Sequence, residues 1–222
     1  MSAVPRTADA PAETLRLAVA AVTDTAGREE NQDVAAALVI GSSPPSGEGE
    51  DFLLVVADGM GGHPSGDVAS RIALDTLTAA FPTLPEGDLG LALKQAYRKA
   101  NEAVYHAGEV EPTHAGMGTT LTAALLHGKY ATLANVGDSR AYLLRGDGLT
   151  QVTRDHTVVA DEVAQGRISA EAARSDPRRN RLTHAIGTDP KLESRLPGIF
   201  ELTLLPGDRL LLCSDGLYDV LD

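Results

Sequence analysis

Apolar and polar positions along the chain follow two periods, one of two residues and one near 3.6. Leu15 to Val22 (LRLAVAAV) alternates as a half-buried strand does, and Val34 to Ile40 is a second short apolar run. The following GSSPPSGEGED offers nothing to pack and reads as a surface loop. Phe52 to Ala57 (FLLVVA) predicts a core strand that stops at Asp58. From Asp67 the period lengthens: Val68, Ile72, Leu77 and Phe81 predict a helix to about Ala80, closed by Pro82. Leu89, Leu93, Ala96, Ala100 and Val104 predict a longer amphipathic helix. Beyond Gly116 alternation returns in TTLTAALL, YATLANV, RAYLLR and LTQVT, joined by turns at HGK and GDG as a meander. Residues 157–175 read as two short helices, and RLTHAIG, FELTLL and RLLLC as three further strands. This order lacks a βαβ alternation and favours antiparallel sheet with segregated helices, an α+β class.

Composition narrows the picture. With 43% apolar and 23% charged residues in 222, the chain is globular and long enough for one sizeable core. Trp is absent, so that core is aliphatic. A net charge of -12 argues against binding nucleic acid or an anionic membrane surface. The single cysteine, Cys213, cannot form an internal disulfide and reads as a buried, inert thiol. Residues 1–14 read as a flexible tail without the pattern of a secretory signal, and the apolar runs fall far short of a membrane span. A soluble cytoplasmic protein is expected.

Three strands end alike. FLLVVA runs into Asp58-Gly59, ATLANV into Gly137-Asp138-Ser139, and RLLLC into Ser214-Asp215-Gly216. One such end is ordinary turn chemistry. Three on core-type strands suggest carboxylates that converge, and converging carboxylates repel unless a proton, a basic side chain or a metal ion neutralises them. The metal fits best: hard oxygen ligands without paired Cys or His select Mg²⁺ or Mn²⁺. Two such ions roughly 3.5–4 Å apart generate a hydroxide nucleophile and clamp a phosphoryl group, so the pattern suggests two-metal phosphoester hydrolysis.

The segments GREENQD (27–33), VADGMGGHPSGDVAS (56–70), GMGTTLT (116–122), NVGDSRAYLLRGDGLTQVTRDH (135–156) and LLLCSDGL (210–217) resemble the bacterial form of the metal-dependent, type 2C (PPM) protein Ser/Thr phosphatases. The resemblance spans residues 15–222, which it implies are a catalytic domain. It implies a four-layer αββα sandwich, two antiparallel sheets flanked by helices, with a Mn²⁺ or Mg²⁺ pair at one edge and a third, looser ion. Asp58 would bridge both metals and Gly59 would offer its carbonyl. Asp215 would hold the first metal, Asp138 and Asp219 the third, and Asp33 would stand in the acidic shell of the second. Arg28 would bind the substrate phosphate. The implied activity is hydrolysis of phosphoserine and phosphothreonine by metal-bound hydroxide, on phosphorylated protein substrates, with a Ser/Thr kinase as a further partner and a monomer as the default state.

Against that family the chain has departures. Relatives continue past SDGL to a closing strand carrying an Asp-Asn pair, and this sequence ends at Asp222, so a C-terminally incomplete domain with a weakened first metal site is expected. The alternative is a catalytically weak phosphatase-like module that binds phosphoproteins or a partner kinase. Met60 occupies the position of a histidine proposed as general acid in eukaryotic relatives, which leaves the acid unassigned, and Gln32 stands where many relatives have glutamate. His63 and His156 lie near the proposed site by sequence and read as ordinary polar residues. Arg178, Arg179 and Arg181 fall in a region that is a variable flap in the family, where they could guide substrate. Rival readings are poor: DGMGGHPSG lacks the GK[ST] of a nucleotide-binding loop, and no Asp-x-x-His supports a serine esterase.

Overall fold

The computed structural model describes residues 15–25, 27, 30–40, 50–60 and 65–221. Two antiparallel sheets stack face to face. The larger contains β1 (Asp33–Val39), β2 (Phe52–Met60), β3 (Gly118–Thr119), β4 (Leu121–His127), β5 (Tyr130–Val136) and β8 (Gly198–Thr203), in the order β1-β2-β4-β5-β8 with β3 paired to the end of β2. The smaller has the order β7-β6-β9, from β6 (Arg140–Arg145), β7 (Gly148–Gln151) and β9 (Arg209–Cys213). The helices are α1 (Ser65–Ala79), α2 (Leu89–Val110) and the short α3 (Val158–Ala164), α4 (Ala170–Ser175) and α5 (Asp215–Tyr218).

The period of two decides which side chains enter which layer. On β2, Leu53, Val55 and Ala57 face α1 and α2, whereas Phe52 and Leu54 face the smaller sheet. On β4, Leu121, Ala123 and Leu125 take the helix side, and Ala124 and Leu126 the inter-sheet side. The helices answer with Ala69, Ala73 and Leu77 from α1 and Leu93, Ala96, Tyr97, Ala100 and Val104 from α2. Asp88 caps α2 by accepting from the Leu91 N–H at 2.9 Å. Tyr97 is fully buried, and its hydroxyl donates to the Ala134 carbonyl at 2.7 Å, which tethers α2 to β5. Ala141, Leu143, Leu210 and Leu212 of the smaller sheet close the second core.

Four expectations change. Leu15 to Ala20 alternates in exposure, with Leu15, Leu17 and Val19 on the inter-sheet core, but Leu15 to Val22 joins no ladder. RLTHAIG forms only isolated bridges, Thr119 with Ile186 and Thr157 with Leu182. Strand β2 does not stop at Asp58: it runs to Met60 because Gly59 and Met60 pair with Thr119 and Gly118. The meander is divided, since Gly137-Asp138-Ser139 carries the chain from the larger sheet to the smaller. The predicted loop at 41–49 and the tail at 1–14 lie outside the described residues.

Candidate metal centre

Asp58 shares the pleat parity of Phe52 and Leu54, so its carboxylate points between the sheets at the end of β2. Its backbone is fixed from both sides. The Asp58 N–H donates to Thr120 Oγ1 at 2.9 Å, and its carbonyl accepts from Thr119 Oγ1 and the Thr120 N–H, each at 2.9 Å. Asp33 opens β1 directly opposite Asp58 in the register. The Asp33 carboxylate accepts from the Ser214 hydroxyl at 2.7 Å, which ties β1 to the end of β9. Asp215 follows as the first residue of α5.

Asp138 sits where the chain changes sheets. Gly137 there has φ 103, and a Cβ on it would stand 2.7 Å from the Thr120 side chain, so the turn takes glycine on both counts. A buried polar layer under the turn holds it. Thr120 Oγ1 and Ser139 Oγ are 2.7 Å apart, and Thr122 Oγ1 donates to Asn135 Oδ1 at 2.7 Å and to the Ser139 carbonyl at 2.9 Å. His156 clasps Gly137 twice: its Nδ1 accepts from the Gly137 N–H at 3.1 Å, and its own N–H donates to the Gly137 carbonyl at 3.0 Å. Burial, then the neighbouring His184 and Arg195 charges, push the His156 imidazole down to about 4, which keeps it a neutral acceptor.

Asp58, Asp138 and Asp215 line one cavity of about 420 Å³. The segment after the short helices, including Asn180, Leu182, Thr183 and His184, also lines it. Burial raises Asp58 to about 9, aided by the charges of Asp33 and Asp215 and by side-chain hydrogen bonds with both. Burial, then the charges of Asp215 and Asp155, raise Asp138 to about 7. Without a cation the cluster holds protons that ordinary carboxylates would release. A divalent ion removes the same repulsion, and an all-oxygen donor set suits Mg²⁺ or Mn²⁺, so the residues fit the metal that the strand ends implied. Among the described residues no three His, Cys, Asp or Glu side chains are placed to hold a metal ion by themselves, so backbone oxygens and water would have to supply part of the shell.

The remaining predicted residues divide. Gly59 is buried, donates its N–H to the Gln32 carbonyl at 3.1 Å, and packs against Gly66. Asp219 lies outside the cavity of Asp138: it lines an adjoining groove of about 770 Å³ together with Asp33 and Asp215. Its carboxylate accepts from Asn180 Nδ2 at 3.0 Å and lies 3.7 Å from Arg179. Arg178 is bound to Asp176 and Glu162, so its charge staples the turn after α4 to α3. Arg28 and His63 lie outside the described residues. Cys213 is buried and its thiol is pushed up to about 11, an unreactive state. Sequence reasoning missed the holders: Thr120, Asn135 and Tyr218, with His156 set aside as an ordinary polar residue. The only signal was that Thr120, Asn135 and His156 fall inside segments already singled out.

A family model described as Protein phosphatase 2C matches residues 30–222. The serine/threonine protein phosphatase PstP of Mycobacterium tuberculosis is 46% identical over 167 residues, which cover 75% of this chain and 32% of that protein. The serine/threonine phosphatase stp of Listeria monocytogenes is 40% identical over 172 residues, 76% of this chain and 67% of that protein. The chain thus spans about a third of the length of the mycobacterial relative. Among solved structures, the M. tuberculosis PstP/Ppp crystal structure superposes with a TM-score of 0.74 at 42% identity, covering 86% of this chain and 75% of that one. The PstP catalytic domain in complex with two manganese ions gives 0.70 at 40% identity, covering 86% and 74%.

Proposed function

The chain belongs to the protein phosphatase 2C family, and from that premise we propose that residues 15–222 are the catalytic domain of a metal-dependent protein serine/threonine phosphatase. The observation that carries the reading is the meeting of Asp58, Asp138 and Asp215, from distant parts of the chain, in one cavity. Asp58 would be the central ligand of the metal pair, with the Gly59 carbonyl as a further oxygen. Asp215 would hold the first ion, Asp33 would stand in the shell of the second, and Asp138 would offer oxygens to a looser third, whereas Asp219 lines the adjoining groove and accepts from Asn180. When bound, the Mn²⁺ or Mg²⁺ pair supplies Lewis acidity toward the phosphoryl oxygens and activates water.

The chain's own residues do the rest. Asp33, Asp58 and Asp215 concentrate negative charge that selects cations. The Thr120–Ser139–Thr122–Asn135 layer holds the turn that carries Asp138 and, through Thr120, the backbone of Asp58. Asn180, Leu182 and Thr183 form the wall against which a phosphorylated side chain lies. Arg28 is assigned to the phosphate, because a guanidinium donates forked hydrogen bonds to its oxygens. The substrates are phosphoproteins, a Ser/Thr kinase is the natural opponent, and the setting is cytoplasmic and monomeric. No helix among the described residues is long and apolar enough to cross a membrane. The non-catalytic module is not favoured, since the relatives are named phosphatases.

The test is hydrolysis of p-nitrophenyl phosphate and of a phosphothreonine peptide with millimolar Mn²⁺. The reading expects turnover of both, abolished by EDTA and restored by Mn²⁺. Turnover that is indifferent to EDTA, or none with Mn²⁺ present, would overturn it.

A further inference from the structure

Asp215 and Asp138 come from separate elements, and something must set the gap between them. Helix α5, which carries Asp215, has four residues and no fully buried side chain. A helix that short has no stability of its own. Its N-cap, Ser214, makes no side-chain capping bond, because its hydroxyl is given to Asp33 instead. Past its first residue α5 is held at its C-cap, where Asp219 accepts from Asn180, and toward the sheet-changing turn by Tyr218. The Tyr218 hydroxyl donates to the Asp138 carbonyl at 3.1 Å. The guanidinium of Arg140 lies 3.6 Å from the centroid of the same ring.

Arg140 is itself immobilised. Its Nε donates to both Asp155 oxygens at 3.0 Å, its Nη2 donates to Asp155 Oδ2 at 2.7 Å, and its Nη1 donates to the Tyr142 hydroxyl at 2.9 Å. Asp155 also accepts from Gln151 Nε2 at 2.8 Å. A guanidinium with its edge committed in this way presents a flat face in a fixed place. The ring therefore rests on a rigid platform built on the smaller sheet, and its hydroxyl reaches the turn that changes sheets. The path Asp155–Arg140–Tyr218–Asp138 joins the two carboxylate-bearing segments.

We propose that Tyr218 is a positioning residue: it holds α5 against the sheet-changing turn and so sets the separation of the Asp215 and Asp138 carboxylates for cations. The proposal rests on the metal-dependent reading above. Its experiment is calorimetric titration of Mn²⁺ into the metal-free wild-type chain, Tyr218→Phe and Tyr218→Leu, with the melting temperature of each recorded with and without Mn²⁺. Tyr218→Phe removes one hydrogen bond and keeps the ring on Arg140, so its weakest resolved Mn²⁺ affinity should fall about 5- to 10-fold. Tyr218→Leu also removes the platform contact and should lose more. A merely structural role would lower the melting temperature equally with and without Mn²⁺, whereas a positioning role shrinks the increment that Mn²⁺ confers. Wild-type binding matched by Tyr218→Phe, in affinity and in increment, would overturn the positioning role alone. A wild-type chain that takes up no Mn²⁺ would overturn the metal reading and this proposal with it.

Discussion

Asp58→Asn is expected to cut Mn²⁺-dependent hydrolysis on the order of 10³-fold while leaving the metal-free chain folded and more stable than wild type at neutral pH. The two effects share one cause. Asp58 is held between Asp33 and Asp215 in a partly dry site, which lifts its carboxyl from 3.8 to about 9. The unfolded chain releases that proton from about pH 4 upward, and the folded chain keeps it until about pH 9. Across that window the folded state binds more protons, so the stability of the metal-free wild type falls as pH rises. Asparagine has no proton to release and escapes this cost. Its metal-free melting temperature at pH 8 should exceed that of wild type by several degrees or more, and the difference should close toward pH 4. Saturating Mn²⁺ should reverse the order, because only the wild type gains from cations. Undiminished turnover by the asparagine variant would remove Asp58 from the chemistry. A variant less stable than wild type at pH 8 without metal would remove the electrostatic argument.

Gly59→Ala should do more damage to the fold than any other single methyl at the site. A Cβ there would lie 2.0 Å from the Gly66 carbonyl oxygen, 2.3 Å from its carbon and 2.9 Å from the Gln32 oxygen. All three are backbone atoms, so no rotamer relieves the clash. The strand cannot slide either, because β2 is paired on both sides, to β1 and β4, and at its end to β3. Prising α1 from β2 should cost more than about 4 kcal/mol, close to the whole stability of a marginal domain. A melting temperature lowered by roughly 8–16 °C, or loss of soluble protein, is expected by thermal denaturation. Gly87→Ala is the contrast: it meets nothing within 4 Å and bears only the strain of φ 89, so its cost should stay near 1 kcal/mol. Equal effects for the two would show that the Gly59–Gly66 contact is not tight.

How much of this could be read from the letters depends on the range of the interaction. Alternation on FLLVVA and helical spacing from Leu89 to Val104 are local, and both elements formed where expected. The carboxylates were legible because each ends a core strand, and strands of one sandwich must bring some ends together. Local pattern failed where a partner decides. Leu15 to Val22 has strand-like alternation, yet a strand needs a bonded neighbour, and the segment joins no ladder among the described residues. The end of β2 was misplaced because Gly59 is a poor strand former in isolation; pairing with Thr119 keeps it in the ladder. His156, Asn135 and Tyr218 act through contacts with residues 19, 13 and 80 positions away, and no single-chain pattern encodes those.

The most direct measurement is anomalous diffraction from crystals of this chain soaked in Mn²⁺. The account predicts manganese peaks inside the cavity, flanked by the carboxylates of Asp58 and Asp215, and their loss in Asp58→Asn. Manganese bound elsewhere on the surface, with the Asp58 carboxylate touching none of it, would contradict the account.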